Sequence, residues 1–120
     1  MKLTVILFAA LQVLIGGRAE FNETTHDFGK ITVADGPQNC VFTVTNKGKE
    51  PLTIYSAIPS CGCTGVNWTR ESIEPGGSGK ISVTYNNEDG PYPFDKTVIV
   101  YLSDMKKPVI LHLRGEVAKK

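Results

Sequence analysis

Past residue 19 no run of this sequence repeats apolar residues at three- and four-residue spacing, which removes helical bundles and mixed helix–sheet folds from consideration. Nor does any run there reach the twenty or so apolar residues that a membrane-spanning helix needs. Charge of one sign is missing too, with 13 basic against 12 acidic side chains and no basic cluster beyond Lys119-Lys120, so nucleic acid is excluded as a partner. No glycine-rich loop leads from a strand into a helix to cradle a phosphate, and no nucleophile, base and acid assemble into a catalytic set. The whole chain has three cysteines, two histidines and one tryptophan. An odd cysteine count permits at most one intramolecular disulfide.

What is present begins with Lys2 and an apolar stretch from Leu3 to Leu11 interrupted only by Thr4, followed by Val13–Ile15 and Gly16-Gly17-Arg18-Ala19. A basic start, a short apolar core and small residues at the minus-three and minus-one positions predict a secretory signal over residues 1–19, cut after Ala19. No cysteine follows the apolar core, which disfavours a lipid anchor. Without Lys2 and Arg18 the remaining 101 residues carry 11 basic and 12 acidic side chains, enough chain for one small domain. An exported chain meets an oxidising compartment, the periplasm or the extracellular space, where thiols pair or hold metal.

The chain after residue 19 reads as short β-branched and aromatic runs separated by Gly, Pro, Asn and Asp. Predicted strands are Phe21–Ile31, Cys40–Thr45, Leu52–Ile58, an irregular edge strand within Val66–Ile73, Lys80–Tyr85, Thr97–Leu102 and Val109–Val117. Cys40, Phe42 and Val44 share one face of their strand, and Ile110, His112 and Arg114 face away from the core on the last. About seven such strands predict an all-β, immunoglobulin-like sandwich over residues 20–120. Its core would draw on Phe28, Phe42, Val44, Leu52, Ile54, Ile81, Val83, Val98, Val100, Leu111 and Leu113.

Six fragments in one order carry a resemblance: His26-Asp27-Phe28-Gly29, Phe42 to Gly48, Pro51 to Ile54, Ser60-Cys61-Gly62-Cys63-Thr64, Ile73 to Ile81, and Leu113 to Val117. Together they resemble the bacterial exported domain-of-unknown-function family fifteen-seventy-three, related in fold to Hydin and major-sperm-protein immunoglobulin-like domains. The resemblance implies fold and compartment and assigns no activity. Two departures stand out: Ser103-Asp104 replaces an expected Ser-Asn, and Cys40 is an additional cysteine. In the bacterial setting that the resemblance implies, the sequons at Asn22 and Asn67 carry no glycan.

The Cys61-Gly62-Cys63 stretch is the one place with chemistry to offer. If sequential strands run antiparallel, Cys40, the cysteine loop and the loop from Asn86 to Pro93 share one end of the sandwich, with Met105 at the other. Cys61–Cys63 closes only if Gly62 turns the chain, because alpha carbons two residues apart reach about 7.6 Å and a bridge wants roughly 4.4–6.8 Å. A three-residue ring contributes about 1.6 kcal/mol, against about 3.4 for the 22-residue loop from Cys40 to Cys61, so a Cys40 bridge is the better-stabilised pairing. Redox exchange between dithiol and disulfide at Cys61 and Cys63 is a second reading, although Arg70 is the only cation close in sequence. A soft ion, Cu(I) above all, held by Cys61 and Cys63 with His26 as an added ligand, is a third. Buried small cysteines with no chemistry are the fourth. Trp68 is a candidate partner contact, set against a rim-of-core tryptophan packed under the cysteine loop. Glu88-Asp89 reads as a solvated turn before it reads as a cation site.

The resulting expectation is an exported, non-enzymatic binding or structural module that needs no cofactor. Its partner would be another exported protein or a cell-envelope component, with no nucleic acid and no membrane span once the signal is removed. Cu(I) carriage and thiol–disulfide exchange are the alternatives.

Overall fold

The computed structural model describes residues 13–15, 18–87, 92–103 and 107–118. Nine strands follow in order: β1 (Val13–Ile15), β2 (Ala19–Phe21), β3 (Thr25–Thr32), β4 (Gln38–Asn46), β5 (Ile54–Pro59), β6 (Thr64–Trp68), β7 (Ser78–Tyr85), β8 (Pro93–Leu102) and β9 (Val109–Ala118). One sheet has the order β1-β2-β4-β7-β6 and the other β3-β9-β8-β5. The fold is the expected all-β sandwich.

Strict alternation builds the core. On β7, Gly79, Ile81, Val83 and Tyr85 point inward, and on β4 Cys40, Phe42, Val44 and Asn46 do the same. The antiparallel register sets Phe42 beside Ile81 and Cys40 beside Val83. Val98, Val100, Leu111 and Leu113 answer from β8 and β9 in the facing sheet, all fully buried. Each such side chain removed from water contributes about 1.5–3 kcal/mol, and slipping a strand by one residue would expose its whole inward set, so burial fixes the register. Phe28, expected in the core, is only partly buried and packs against its rim. Its ring lies 4.7 Å from His26 and 6.4 Å from Phe94, which stacks in turn on the buried Tyr85 at 4.3 Å.

Three expectations change. The predicted single strand Phe21–Ile31 is two strands in different sheets. Asn22 causes the break: its N–H donates to Thr43 O at 3.0 Å and its side-chain oxygen accepts the Thr43 N–H at 2.8 Å, which ends pairing with β4. The chain then crosses over, and β3 runs parallel to β9, with a register shift between Asp27 and Lys30. The strand expected from Leu52 starts at Ile54, Leu52 instead making an isolated bridge to Ile73. The edge strand expected within Val66–Ile73 lies earlier, at β6.

The expected signal segment falls mostly outside the described residues. Within it, β1 pairs antiparallel with β2, and Ala19 is fully buried opposite Asn46, so a cut after Ala19 would remove β1 and the first residue of β2. Met105 and Glu88-Asp89 also lie outside the described residues. Among the described residues no helix is long and apolar enough to cross a membrane.

Candidate functional site: the cysteine turn

The turn between β5 and β6 carries the chain from the edge of one sheet to the edge of the other. Pro59 lacks an N–H and closes β5. Ser60 then ties back to β8: its N–H donates to Thr97 O at 2.9 Å, and its Oγ accepts the Thr97 N–H at 3.1 Å. On the far side the Thr64 N–H donates to Cys61 O at 3.2 Å, closing a tight turn around Gly62. The Asn86 N–H donates to Cys63 O at 2.8 Å, joining the turn to the start of the 86–92 loop. The cysteines therefore sit at the loop tip beside Asn86, where the strand order of the sequence places them.

Cys61 and Cys63 form a disulfide with alpha carbons 5.2 Å apart, the turn at Gly62 bringing them into range. Both are half-buried. Cys63 packs against the rim of the core, and its Sγ lies 3.7 Å from Thr64 Oγ1. The Cys63 N–H points at Cys61 Sγ, 3.0 Å away.

Cys40 is a free thiol, buried on β4. The Cys40 bridge favoured by loop entropy does not form, because β7 stands between the partners. Cys40 registers with Val83 and Val83 with Val66, while Cys63 lies three residues before Val66. Two strand spacings and a three-residue offset put the alpha carbons about 14 Å apart, roughly twice what a bridge spans. Burial, with the nearby charge of Glu23 adding to it, pushes the Cys40 thiol up to about 11.

The structure does not bring His26 to the cysteines. It lies on β3, beside Leu113 of β9, with β8 beyond and β5 beyond that, about 14 Å across three strand spacings. Its Nδ1 is 2.9 Å from Glu23 Oε2. The ligand set Cys61, Cys63 and His26 is thereby corrected: two of its members are bonded to each other and the third is on the opposite edge. Among the described residues no group of three or more His, Cys, Asp or Glu side chains is placed to hold a metal ion. Trp68 is half-buried against the core at the end of β6 away from the cysteines, not under their loop, and the Arg70 guanidinium covers its ring at 3.9 Å. His112 is on the outward face, bonded at 3.0 Å to Asp95, which also takes the Arg114 Nε at 3.1 Å.

Beside the turn lies a feature that the strand boundaries alone did not isolate. On the outward face of the β3-β9-β8-β5 sheet, Ile58, Ile99 and Ile110 stand in one register row across three strands. Ile58 and Ile110 are each about half exposed, and Tyr55 and Tyr101 are exposed further along β5 and β8, Tyr55 at 65%. Its signal in the sequence was apolar residues on both faces of two strands, as in Ile54 to Ile58 and Val98 to Tyr101. Ser60, Thr97, Thr64 and Asn86, which hold the cysteine turn, left no such signal, since their roles depend on partners distant in sequence.

The model of one protein family, described as a protein of unknown function (DUF1573), matches residues 19–117. No curated protein matches the chain. Among solved structures, a protein of unknown function from Porphyromonas gingivalis W83 superposes with a TM-score of 0.71 at 19% identity, covering 88% of this chain and 47% of that one. The secreted serine protease VesC from Vibrio cholerae superposes at 0.67 and 15% identity, over 94% of this chain and 24% of that one. The PapD-like domain 7 of human CEP192 superposes at 0.64 and 14% identity, over 86% and 87%. The chain spans about half or less of the first two, and at these identities the likeness is one of fold.

Proposed function

The chain belongs to the DUF1573 family, and from that premise we propose that it is an exported immunoglobulin-like module acting by surface contact with another exported protein of the cell envelope. The observation that carries this reading is the outward row of Ile58, Ile99 and Ile110 with Tyr55 and Tyr101. Exposed apolar side chains set in neighbouring register positions mark contact surfaces when they form a patch, and tyrosine is among the side chains enriched at protein interfaces. The row begins on β5, the strand that leads into the cysteine turn. Export is inferred from the leader-like start of the sequence, and a secreted protease among its structural neighbours agrees with it.

Two measurements test the reading in a bacterium expressing the full sequence. The mature chain is expected in the periplasmic or extracellular fraction with a mass that begins at Glu20. A photo-reactive residue at position 58 is expected to give a discrete adduct with an exported protein, and one at Lys80, exposed on the other sheet, is expected to give none. An intact leader in the cytoplasmic fraction, or the same labelling from both positions, overturns it.

A further inference from the structure

The Cys61–Cys63 bridge is poorly explained as a staple. A ring of three residues constrains the unfolded chain far less than a ring closed across the domain. The turn is also held without its sulfurs. Ser60 is bonded twice to Thr97, Thr64 N–H to Cys61 O and Asn86 N–H to Cys63 O, so both arms are fixed to the neighbouring chain by bonds that use neither sulfur. The two alpha carbons lie 5.2 Å apart in the bridged turn, and none of these bonds is made by a sulfur, so the turn is expected to keep its shape when the bridge opens.

The two sulfurs are not equivalent. Cys63 packs against the core rim and has the Thr64 hydroxyl beside it. Cys61 is not among the side chains packed on that core, and the Cys63 N–H is directed at its Sγ. A donor fixed on a sulfur favours its thiolate, and stabilising the reduced form makes a disulfide a better oxidant. The third thiol is kept out of the chemistry: Cys40 is buried about 14 Å away, behind β7.

We propose that the Cys61–Cys63 bridge is an exchangeable disulfide that accepts two electrons from dithiols on exported peptides, with Cys61 as the sulfur that carries the mixed disulfide. A peptide thiolate attacks Cys61 Sγ and forms a new S–S bond as the Cys61–Cys63 bond breaks. Cys63 departs as a thiolate beside the Thr64 hydroxyl and takes up the proton that the peptide thiol released. The peptide's second thiolate then attacks the peptide sulfur held in the mixed disulfide, and Cys61 departs as a thiolate under the Cys63 N–H and takes up the proton that the second peptide thiol released. The peptide is oxidised from dithiol to disulfide, and the turn is reduced from disulfide to dithiol. The exchange is stoichiometric as written and does not depend on the contact reading above.

The test uses the purified mature protein and a short synthetic peptide with two reduced cysteines. Mass spectrometry after acid quenching is expected to show one bridge opened per peptide oxidised, with Cys61 and Cys63 open to alkylation and Cys40 closed to it. The opened protein is expected to keep its cooperative thermal transition. Single variants locate the reacting sulfur. Cys63→Ser is expected to take up glutathione from glutathione disulfide about ten-fold faster than Cys61→Ser, through the stabilised Cys61 thiolate. A bridge that the peptide leaves closed, loss of the cooperative transition on opening, or equal rates for the two variants would each overturn the proposal. Failure of cross-linking at position 58 leaves these readouts unchanged.

Discussion

The side-chain amide of Asn46 donates to the backbone carbonyl of Ile73 at 2.8 Å, in the interior, across 27 residues of chain. The same nitrogen donates to Glu50 O at 2.7 Å, and the side-chain oxygen accepts the Gly48 N–H at 2.9 Å. The backbone of Asn46 meets Gly76 and Gly77 in the turn before β7. One fully buried polar residue thus joins the 46–50 turn to the 73–77 turn, with each of its polar atoms satisfied.

Asn46→Leu should therefore cost about 1–3 kcal/mol, because it leaves the part-buried Glu50 carbonyl and Gly48 N–H without their partner, while the Ile73 carbonyl keeps the Leu52 N–H. Urea unfolding checks the figure. A loss below about 1 kcal/mol would mean that water or a shifted turn satisfies those groups instead.

That keystone shows how far the sequence reaches. Asn46-Lys47-Gly48 was legible as a strand end, and the alternation in β4, β7 and β9 was legible because it depends on nearest neighbours along the chain. The Ile73 carbonyl that Asn46 serves was not, since nothing local announces a partner 27 residues away. The same limit governs the cysteines. Their loop and its neighbour Asn86 followed from strand order, but the loop-entropy preference for a Cys40 bridge compared unfolded chains. It took no account of β7, which lies between Cys40 and the turn. Phe21–Ile31 reads as one strand because no Pro and no turn dipeptide interrupts it before Gly29; a side-chain bond from Asn22 divides it.

Cys40 should behave as a core residue. In the folded protein it should resist maleimide at pH 8 and react once the domain is unfolded in urea. Its thiol titrates near 11 when folded, above the ordinary value of 9.0. The folded state thus holds the proton more tightly, so its contribution to stability is complete below pH 9 and falls away as pH rises from 9 towards 11. Cys40→Ser should cost about 1–3 kcal/mol, from a buried hydroxyl without a matched partner, and should flatten that alkaline decline. Reaction of folded Cys40 at the rate of a small-molecule thiol would contradict its burial.

Asp95 reports on the outer face of the second sheet. Its bond to His112, and after that its contact with Arg114, hold its carboxyl below the usual carboxylate range. A depressed folded value means that the stabilising pair is complete above the ordinary aspartate range and is lost as pH falls through the folded value. Carboxyl titration by NMR should place Asp95 below a free aspartate, and His112→Gln should move it upward. An unchanged titration in that variant would assign the shift elsewhere. The pair is largely exposed, so its effect on melting should be small and screened by salt.

Gly115 lies against Phe94, in the aromatic column with Phe28 and Tyr85. It pairs with Phe94 across β8 and β9, next to the register shift between Asp27 and Lys30 in the pairing of β3 with β9. A Cβ built on Gly115 would lie 2.8 Å from Phe94 Cζ and 2.9 Å from the Gly29 carbonyl oxygen. The ring could yield only by leaving its stack on Tyr85, and the carbonyl belongs to a glycine held at φ 75°. Neither neighbour can move cheaply, so Gly115→Ala should destabilise by about 1–3 kcal/mol, as overpacking does. Phe94→Leu removes the ring atom from the clash, and the two changes together should cost less than their separate losses added, by 0.5 kcal/mol or more, as touching residues do. Strict additivity in that double-mutant cycle would show that the Gly29 carbonyl alone sets the limit, and a neutral Gly115→Ala would show that β3 is free to withdraw.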